Sequence, residues 1–372
     1  MPRILFMPLL RLPSGHHHAA DSLKHQLEET GKEFICEKAE LISHSYGRAE
    51  SVVSAVYLQW IHRLPKLYSM VYKFGALKQQ SQHKRYYLYE WLFQKKIQQL
   101  IQEKGPDVVI CTHALPSYLL SQLKSSGKWK GKVINVYTDF FINNLWGING
   151  IDYHFVPSLH VKQDLLKKGV PAEHVIVSGI PIHPLFQRDP IRPVSPSEKY
   201  TIIISGGNMG AGSIKELLLQ LRPGGRVHYK VLCGKNTRLH QSLRSSVYTN
   251  VSPIPYISSK KEMNELYNEA DALITKPGGI TITECLWKRI PTFVYEALPG
   301  QEEVNLTYLK DQGLVHHLPY WKSNTANLED IILEVLQDED RLSRWQGQME
   351  IFHQGLEERD VTSYIKGICQ DV

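Results

Sequence analysis

The chain has 372 residues, of which 42 % are hydrophobic and 22 % charged, and its formal net charge is +6. That length favours two domains, and the balanced composition excludes a disordered or fibrous chain. The apolar stretch at residues 4–10 is short, broken by Pro8 and followed by Arg11, so we expect no signal peptide. No run in the sequence approaches the ~20 apolar residues needed to span a bilayer, so no membrane-spanning helix is expected. The five cysteines form no CxxC pair, which is typical of a reducing cytosol.

Short apolar strands alternate with helical stretches along the first half of the chain. Residues 3–10 predict a buried strand, and a helix is expected from about His16 to Gly31. This alternation indicates parallel βαβ units in a doubly wound sheet. Further strands are predicted at residues 34–36, 106–111, 132–137, 153–156 and 175–177.

Residues 187–197 contain three prolines and no periodicity, which predicts a linker. The alternation then restarts, and we predict an α/β fold of two Rossmann-like domains, residues 1–190 and 195–345. A cleft between two such halves is a common ligand site. The second half has predicted strands at 200–205, 227–233, 272–275 and 292–294, and predicted helices at 213–221, 259–270, 281–287 and 304–312.

The positive charge is concentrated in residues 46–104, which carry ten Lys and Arg residues against three Glu. From residue 51 onward the pattern is helical, with aromatic residues at helical spacing. Such a segment is typical of an interfacial helix on an anionic membrane, or of a core-facing helix with a solvated polar face. Nucleic acid is not expected as a partner, because no recognition motif accompanies the charge.

Two glycine-rich turns follow strands of the second half, and each opens a helix. The first, residues 204–212 (ISGGNMGAG), offers Gly207, Asn208 and Gly210 to a phosphate. Alternatively, it is a flexible turn. In the second, residues 275–284 (TKPGGITITE), glycines again admit a diphosphate, Thr281 can donate a hydroxyl, and Glu284 can accept from two ribose hydroxyls. Its alternative is a helix cap with an exposed Glu. The candidates in the second turn are Lys276, Gly278, Gly279, Thr281 and Glu284.

A third polar segment, residues 298–305 (LPGQEEVN), follows the next strand. Gln301, Glu302 and Asn305 offer donors and acceptors suited to sugar hydroxyls. Taken alone, this segment is typical of a polar helix start.

Residues 233–236 (CGKN), 275–284 and 299–305, in this order, resemble the donor domain of GT-B glycosyltransferases. More narrowly, the chain resembles the bacterial processive diacylglycerol glucosyltransferases and plant monogalactosyldiacylglycerol synthases of glycosyltransferase family 28. Residues 136–140 (VYTDF) with Trp146, and residues 178–182 (SGIPI), match in the first half. The similarity covers nearly the whole chain, and TKPGGIT-x-TE together with PGQE is its specific part.

The resemblance implies that two Rossmann-like domains face a central cleft, and that residues 346–372 pack back on the N-terminal domain. The second domain would bind UDP-glucose or UDP-galactose, with Gly234, Lys235 and Asn236 added to the donor-binding residues. The first would bind diacylglycerol or a glycosylated diacylglycerol, with Gly15 and Trp146 at the acceptor. The implied reaction is a single inverting displacement in which helix N-termini and backbone amides, not a metal, stabilise the UDP leaving group.

His16 and Asp139 are the candidate catalytic residues. His16 is the expected base, and Asp139 is either the rival base or the group that orients the acceptor or His16. Both have structural alternatives, a helix cap for His16 and a turn former for Asp139. The family's first loop reads G-x-G-H, whereas here Pro13 replaces the first glycine. Three adjacent histidines begin at His16, but adjacent positions on a helix do not face one ligand, so no metal site is expected.

With this resemblance, the basic aromatic segment favours a membrane surface, so we predict a cytoplasmic protein peripheral on the inner face of the cell membrane. Two other functions remain open. One is a GT-B enzyme with another acceptor, either a lipid-linked wall precursor or a small molecule. The other is a non-catalytic UDP-sugar-sensing membrane protein, against which the intact His16 and Glu284 weigh.

Overall fold

A computed structural model describes residues 1–9, 14–31, 33–41, 85–190, 198–207, 213–221, 225–246, 248–319, 321–322 and 327–370. The chain divides into two compact units, one formed by Met1–His183 with Gly355–Val372 and the other by Pro184–Gln354. The C-terminal stretch that belongs to the first unit therefore begins at Gly355, not at residue 346. The predicted linker lies within the second unit's range, and its residues 191–197 fall outside the described part of the chain.

The first unit is a parallel sheet in which helices connect most of the strands. Strands 108–111 and 132–136 are almost wholly buried, as expected where both faces of a parallel sheet are covered. All six predicted strands are confirmed, with ends shifted by up to three residues. The described elements are β1 (Arg3–Met7), α1 (Gly15–Glu29), β2 (Ile35–Lys38), α2 (Tyr87–Lys104), β3 (Val108–Cys111), α3 (Ala114–Ser125), β4 (Lys132–Val136), β5 (Tyr153–Val156), α4 (Leu159–Lys167), β6 (Val175–Val177) and α12 (Val361–Gln370).

The strand order of this sheet is β2-β1-β3-β4-β5-β6, with every pair parallel. The chain moves outward from β1 to β2 and then returns to place β3 on the other side of β1. The order therefore reverses between β1 and β3, and the loops at their carboxyl ends diverge there to leave a crevice. One apolar cluster of this unit joins β1 and α1 to the C-terminal helix α12, through Ile4, Leu23 and Ile365.

The second unit repeats this architecture, and its four predicted strands are confirmed. Its helices cover residues close to those predicted, although the helix expected at 213–221 is limited to 214–218. The described elements are β7 (Tyr200–Ser205), α5 (Ile214–Leu218), β8 (Val227–Leu232), α6 (Thr237–Arg244), β9 (Val251–Ile254), α7 (Lys260–Asn268), β10 (Ala272–Thr275), α8 (Gly279–Lys288), β11 (Thr292–Val294), α9 (Gln301–Asp311), β12 (His316–His317), α10 (Leu328–Gln337) and α11 (Glu339–Gln354).

The second sheet has the order β12-β11-β10-β7-β8-β9, again parallel throughout. Its reversal falls between β7 and β10, the two strands that the predicted glycine-rich turns follow. The sequence did not predict β9, which contains Pro253 and lies at the edge of the sheet. Proline lacks the N–H that a central strand needs, so it is tolerated at an edge.

Helix α2 is the described part of the predicted basic aromatic segment. Residues 46–84 of that segment lie outside the described residues. On α2 itself, Phe93, Ile97 and Leu100 pack into the core of the first unit. None of the helices in the described ranges combines the length and the apolarity needed to cross a bilayer.

Candidate functional site

The carboxyl edge of the first sheet brings together the two residues predicted to be catalytic. Gly15 and His16 open helix α1, the first helix after β1. Thr112 and His113 directly follow β3, and Asp139 lies three residues beyond the end of β4. Because β1, β3 and β4 are neighbours, these side chains meet at the strand-order reversal.

Two oxygen atoms fix the imidazole ring of His16. Its Nδ1 lies 2.7 Å from the carbonyl oxygen of Thr112 and 2.8 Å from Oγ1 of Thr138. A carbonyl only accepts, so Nδ1 must carry the proton and donate it. In the neutral ring Nε2 then holds the lone pair. The geometry therefore gives His16 the tautomer that a general base requires at Nε2.

The surroundings of His16 favour its neutral form. Burial lowers the pKa of its ring, while the nearby Asp139 carboxylate and the Thr112 carbonyl act in the opposite direction and His17 adds to the lowering. The ring of His113 packs edge-on against it, with 4.8 Å between centroids. Burial and His16 together hold the pKa of His113 well below its usual value. Both shifts favour the neutral rings, and a neutral His16 can take up a proton.

Trp146 is in a different environment from His16. Its indole is 8 % exposed and belongs to the core, where its ring centroid lies 4.4 Å from that of Tyr137. Tyr137 is in turn within hydrogen-bond distance of the buried His154, with 3.0 Å between the hydroxyl and Nδ1. These contacts make Trp146 part of the hydrophobic core of the first unit. Its contact with an acceptor stays a prediction.

The turn after β10 forms the centre of the candidate site in the second unit. Gly278 directly precedes helix α8, and an added Cβ there would meet no atom within 4 Å. The position that a side chain would occupy at Gly278 is therefore open space. The N–H groups of the first turn of α8 have no intrahelical partners. Asn305, which is 1 % exposed, donates from Nδ2 to the carbonyl oxygen of Pro277 at 3.2 Å. Helix α9 thus holds this turn in place.

Lys276 lies beside the same turn and faces a carboxylate that sequence analysis missed. Its Nζ is 3.5 Å from Oε2 of Glu296, the second residue after β11. Glu296 also accepts a hydrogen bond from the Ser213 hydroxyl at 3.1 Å. Lys276 is thus a nearly buried cation held at the carboxyl edge of the sheet. Lys276 is a sequence candidate because it belongs to the turn at residues 275–284, whereas Glu296 lies outside every motif that the sequence offers.

Glu284 lies in the second turn of α8 and is 6 % exposed. Its Oε2 accepts a hydrogen bond from the Tyr267 hydroxyl at 3.0 Å, and its Oε1 is 3.9 Å from Nζ of Lys260. Burial raises the pKa of Glu284, and these two neighbours oppose that rise. The predicted alternative of an exposed Glu is wrong, because this side chain is buried and contacts two residues of α7. Both Tyr267 and Lys260 belong to α7, and no sequence motif singles them out.

The turn after β8 carries three further predicted residues. Gly234 has a φ of 56°, a left-handed conformation suited to glycine. Lys235 is exposed and lies over the ring of Tyr256, 5.4 Å from its centroid. Asn236 caps helix α6 and accepts from the backbone N–H of Leu239 at 3.0 Å. Asn236 thus caps a helix and also lies at the carboxyl edge of the second sheet, just after β8.

The turn before α9 contains the other predicted polar residues. Gly300 has a φ of 98°, which explains a glycine in the PGQE sequence. Glu302 accepts from the backbone N–H of Leu298 at 2.6 Å and so fixes its own loop. Gln301 is the first residue of α9 and is partly exposed. Of these polar residues, Gln301 is therefore the better placed for a ligand.

The predicted donor-binding residues converge on one edge of the second sheet. They follow β7, β8, β10 and β11, which are neighbours in the order β11-β10-β7-β8. Gly207, with a φ of 78°, lies in the turn after β7, and Thr281 lies in the first turn of helix α8, which follows β10. Asn208 and Gly210 lie outside the described residues. Within the described ranges, no three His, Cys, Asp or Glu side chains gather as a metal ligand set.

Comparison with known proteins finds two family matches that together span most of the chain. Residues 16–182 match the monogalactosyldiacylglycerol (MGDG) synthase family, and residues 201–358 match the glycosyltransferase family 28 C-terminal domain. An uncharacterized glycosyltransferase of Bacillus subtilis, YkoN, is 43 % identical over 99 % of this chain and 97 % of its own length. A processive diacylglycerol beta-glucosyltransferase of the same organism is 29 % identical over 91 % of this chain and 88 % of its own.

Several solved structures share this fold at low sequence identity. Acinetobacter baumannii MurG superposes with a TM-score of 0.61 at 15 % identity, covering all of both chains. The glycotransferase of kitacinnamycin superposes with a TM-score of 0.65 at 14 % identity, covering 99 % of this chain and 100 % of its own. These similarities confirm the predicted GT-B fold. The family matches and the curated relatives establish that the chain is a glycosyltransferase belonging to family 28, related to the diacylglycerol glucosyltransferases.

Proposed function

We propose that the protein transfers a hexose from UDP-glucose or UDP-galactose to a lipid acceptor such as diacylglycerol, with inversion at the anomeric carbon. The observation that carries the donor assignment is the N-terminus of α8, where an open glycine turn precedes a buried carboxylate. The N–H groups of the first turn suit a diphosphate, and the Glu284 carboxylate suits ribose hydroxyls. The names of the relatives support the acceptor, since several are processive diacylglycerol beta-glucosyltransferases.

The donor would contact the turns after four strands. The backbone of Gly207, Gly278 and Gly279 would approach the diphosphate, and Lys276 would add a positive charge beside it. Gln301 is assigned to hydroxyls of the sugar. Three further residues would support the donor indirectly, because their observed hydrogen bonds to backbone atoms hold the turns that face the donor. They are Glu302, Asn305 and Asn236.

The reaction would proceed by a single displacement. Nε2 of His16 takes the proton of the acceptor hydroxyl while that oxygen bonds to the anomeric carbon. The bond from this carbon to the UDP oxygen breaks, and UDP leaves with the electron pair. The amides at the start of α8 and the Lys276 ammonium stabilise the leaving diphosphate without a metal. The Asp139 carboxylate stabilises the imidazolium that forms, and Gly15 lets the acceptor approach His16.

A transfer assay tests the function directly. Purified protein is incubated with labelled UDP-glucose or UDP-galactose and mixed lipids that include diacylglycerol, and the lipid extract is analysed. We expect the label in a glycosylated diacylglycerol. Label that appears only in a lipid-linked wall precursor or a soluble glycoside would identify the other-acceptor enzyme. Absence of transfer from any UDP-sugar to any acceptor would contradict the proposal.

Helix α2 supports attachment to an anionic membrane surface, the inner face of the cell membrane. Its Tyr87, Leu88 and Trp91 side chains are exposed, and Trp91 is 79 % exposed. Lys95 follows Trp91 by four residues, so both lie on one side of the helix, opposite the buried Phe93. Exposed aromatic rings beside cations are typical of a helix that lies at the level of lipid headgroups.

Vesicle binding tests this attachment. Each cation near an anionic surface contributes about 1 kcal/mol, so binding should increase with anionic lipid content and decrease with added salt. The Trp91→Ala variant should bind less tightly than wild type. Ile351→Ala is the matched control, because Ile351 is an exposed apolar residue on helix α11. Equal binding to neutral and anionic vesicles would refute the electrostatic part, and absence of binding to either would favour a soluble acceptor.

A further inference from the structure

The hydroxyl of Tyr267 holds the carboxylate of Glu284. Tyr267 belongs to α7, is 2 % exposed, and donates its hydroxyl hydrogen to Oε2 of Glu284 at 3.0 Å. Its ring packs against Phe186, with 5.7 Å between centroids. Lys260 belongs to the first turn of the same helix, and its Nζ lies over the Phe186 ring, 5.7 Å from the ring centroid. The donor hydroxyl is thus placed by packing as well as by the hydrogen bond.

This arrangement has two consequences for Glu284. A carboxylate offers about four acceptor positions on two oxygens, and the bond from Tyr267 uses one of them and fixes the plane of the group. The remaining positions then point in set directions. Burial disfavours the charged carboxylate, whereas the Tyr267 hydrogen bond and the Lys260 charge favour it. Both neighbours thus keep Glu284 an acceptor of defined orientation.

We propose that Tyr267 is a positioning residue, which orients the Glu284 carboxylate for the ribose of a uridine nucleotide and so makes the site discriminate ribose from 2′-deoxyribose. This inference rests on the proposed function, which assigns the ribose to Glu284. The reason is geometric. A carboxylate held in one plane can accept from both vicinal hydroxyls of a ribose. A freely rotating carboxylate must first be oriented, and the entropy lost in doing so weakens the binding of the nucleotide. Tyr267 itself does not touch the nucleotide.

The test compares the affinities of UDP and 2′-deoxy-UDP by calorimetry. In the wild type, UDP should bind more tightly. The Tyr267→Phe variant keeps the buried ring and removes only the hydroxyl, so we expect UDP affinity to fall about three- to tenfold, the effect of one lost hydrogen bond. The affinity for 2′-deoxy-UDP should change much less, so the ratio of the two affinities should decrease. Because the ratio is internal to each variant, partial loss of folded protein leaves it unchanged.

A matched control removes a hydroxyl from an equivalent pair elsewhere in the unit. Tyr229 is buried and donates to Oε2 of Glu329 at the same distance, 3.0 Å. Tyr229→Phe should leave the ratio of affinities at the wild-type value. In a Glu284→Ala background, Tyr267→Phe should have no further effect on the ratio, because a positioning residue acts only through the group it holds.

The outcomes separate this inference from the function on which it rests. If Glu284→Ala lowers the ratio and Tyr267→Phe leaves it unchanged, the positioning role is wrong and the donor site stands. If Glu284→Ala itself leaves the ratio unchanged, or UDP does not bind the wild type, the proposed donor site is wrong. An equal decrease for both nucleotides in Tyr267→Phe would reduce Tyr267 to a packing residue and overturn the inference.

Discussion

His16→Ala is expected to lower kcat about 10²- to 10⁴-fold, the usual contribution of a general base, while UDP affinity stays near the wild-type value. The reason is that Nδ1 is bound to the Thr112 carbonyl, so Nε2 carries the lone pair that takes the acceptor proton. His16 also belongs to the first unit, whereas the predicted nucleotide contacts belong to the second. Turnover measured beside UDP calorimetry separates the two effects.

The pH profile supplies a second readout for His16. A base acts in its deprotonated form, so kcat/KM should fall as pH decreases through the pKa of His16. Since burial lowers that pKa, we expect the fall below the ordinary histidine value of about 6.5. Asp139 raises the pKa of His16, so Asp139→Asn should move the fall to still lower pH. If His16→Ala keeps near-normal turnover and Asp139→Asn abolishes it, the two roles are reversed.

Glu284→Ala should weaken UDP binding at least roughly tenfold. A ribose recognised through two hydroxyls leaves both unpaired when the carboxylate is removed, and a hydrogen bond to a charged group contributes about 1.5–3 kcal/mol. The measurement is UDP calorimetry, with a thermal unfolding curve for the variant because Glu284 is buried beside Tyr267 and Lys260.

A second buried acid of the same unit provides the control for Glu284. Glu329 is also buried and also accepts from a tyrosine hydroxyl, but it belongs to α10. Glu329→Ala should therefore lower stability without a specific loss of UDP affinity. A folded Glu284→Ala variant that binds UDP as tightly as wild type would contradict the assignment of Glu284 to the ribose.

The strands were predictable because parallel strands buried on both faces give short continuous apolar runs. Strand β3, with the sequence VVIC, is a clear case. Strand β9 escaped prediction because Pro253 is compatible with a strand only at a sheet edge, and edge position depends on the whole topology. The C-terminal stretch of the first unit begins at Gly355 because helix α11 belongs to the second unit and continues to Gln354. The hydrophobic pattern of a helix does not indicate to which unit the helix belongs.

The candidate site was predictable where glycines and polar residues directly follow strands, as at Lys276 and Gly278. The residues that hold these groups were not, because their contacts join distant parts of the chain. Thr112 and His16 are 96 positions apart, and Tyr267 lies on a different helix from Glu284. Sequence patterns also could not show that Asn305 faces a backbone carbonyl and is buried.

The most direct test of glycosyl transfer by a single displacement is the anomeric configuration of the product. The reaction is run with an α-linked UDP-hexose and diacylglycerol, and the anomeric proton of the purified glycolipid is examined by NMR. One displacement at the anomeric carbon, with His16 as the base, predicts a β-linked sugar. An α-linked product, or UDP-hexose consumed with no sugar bound to lipid, would contradict the account.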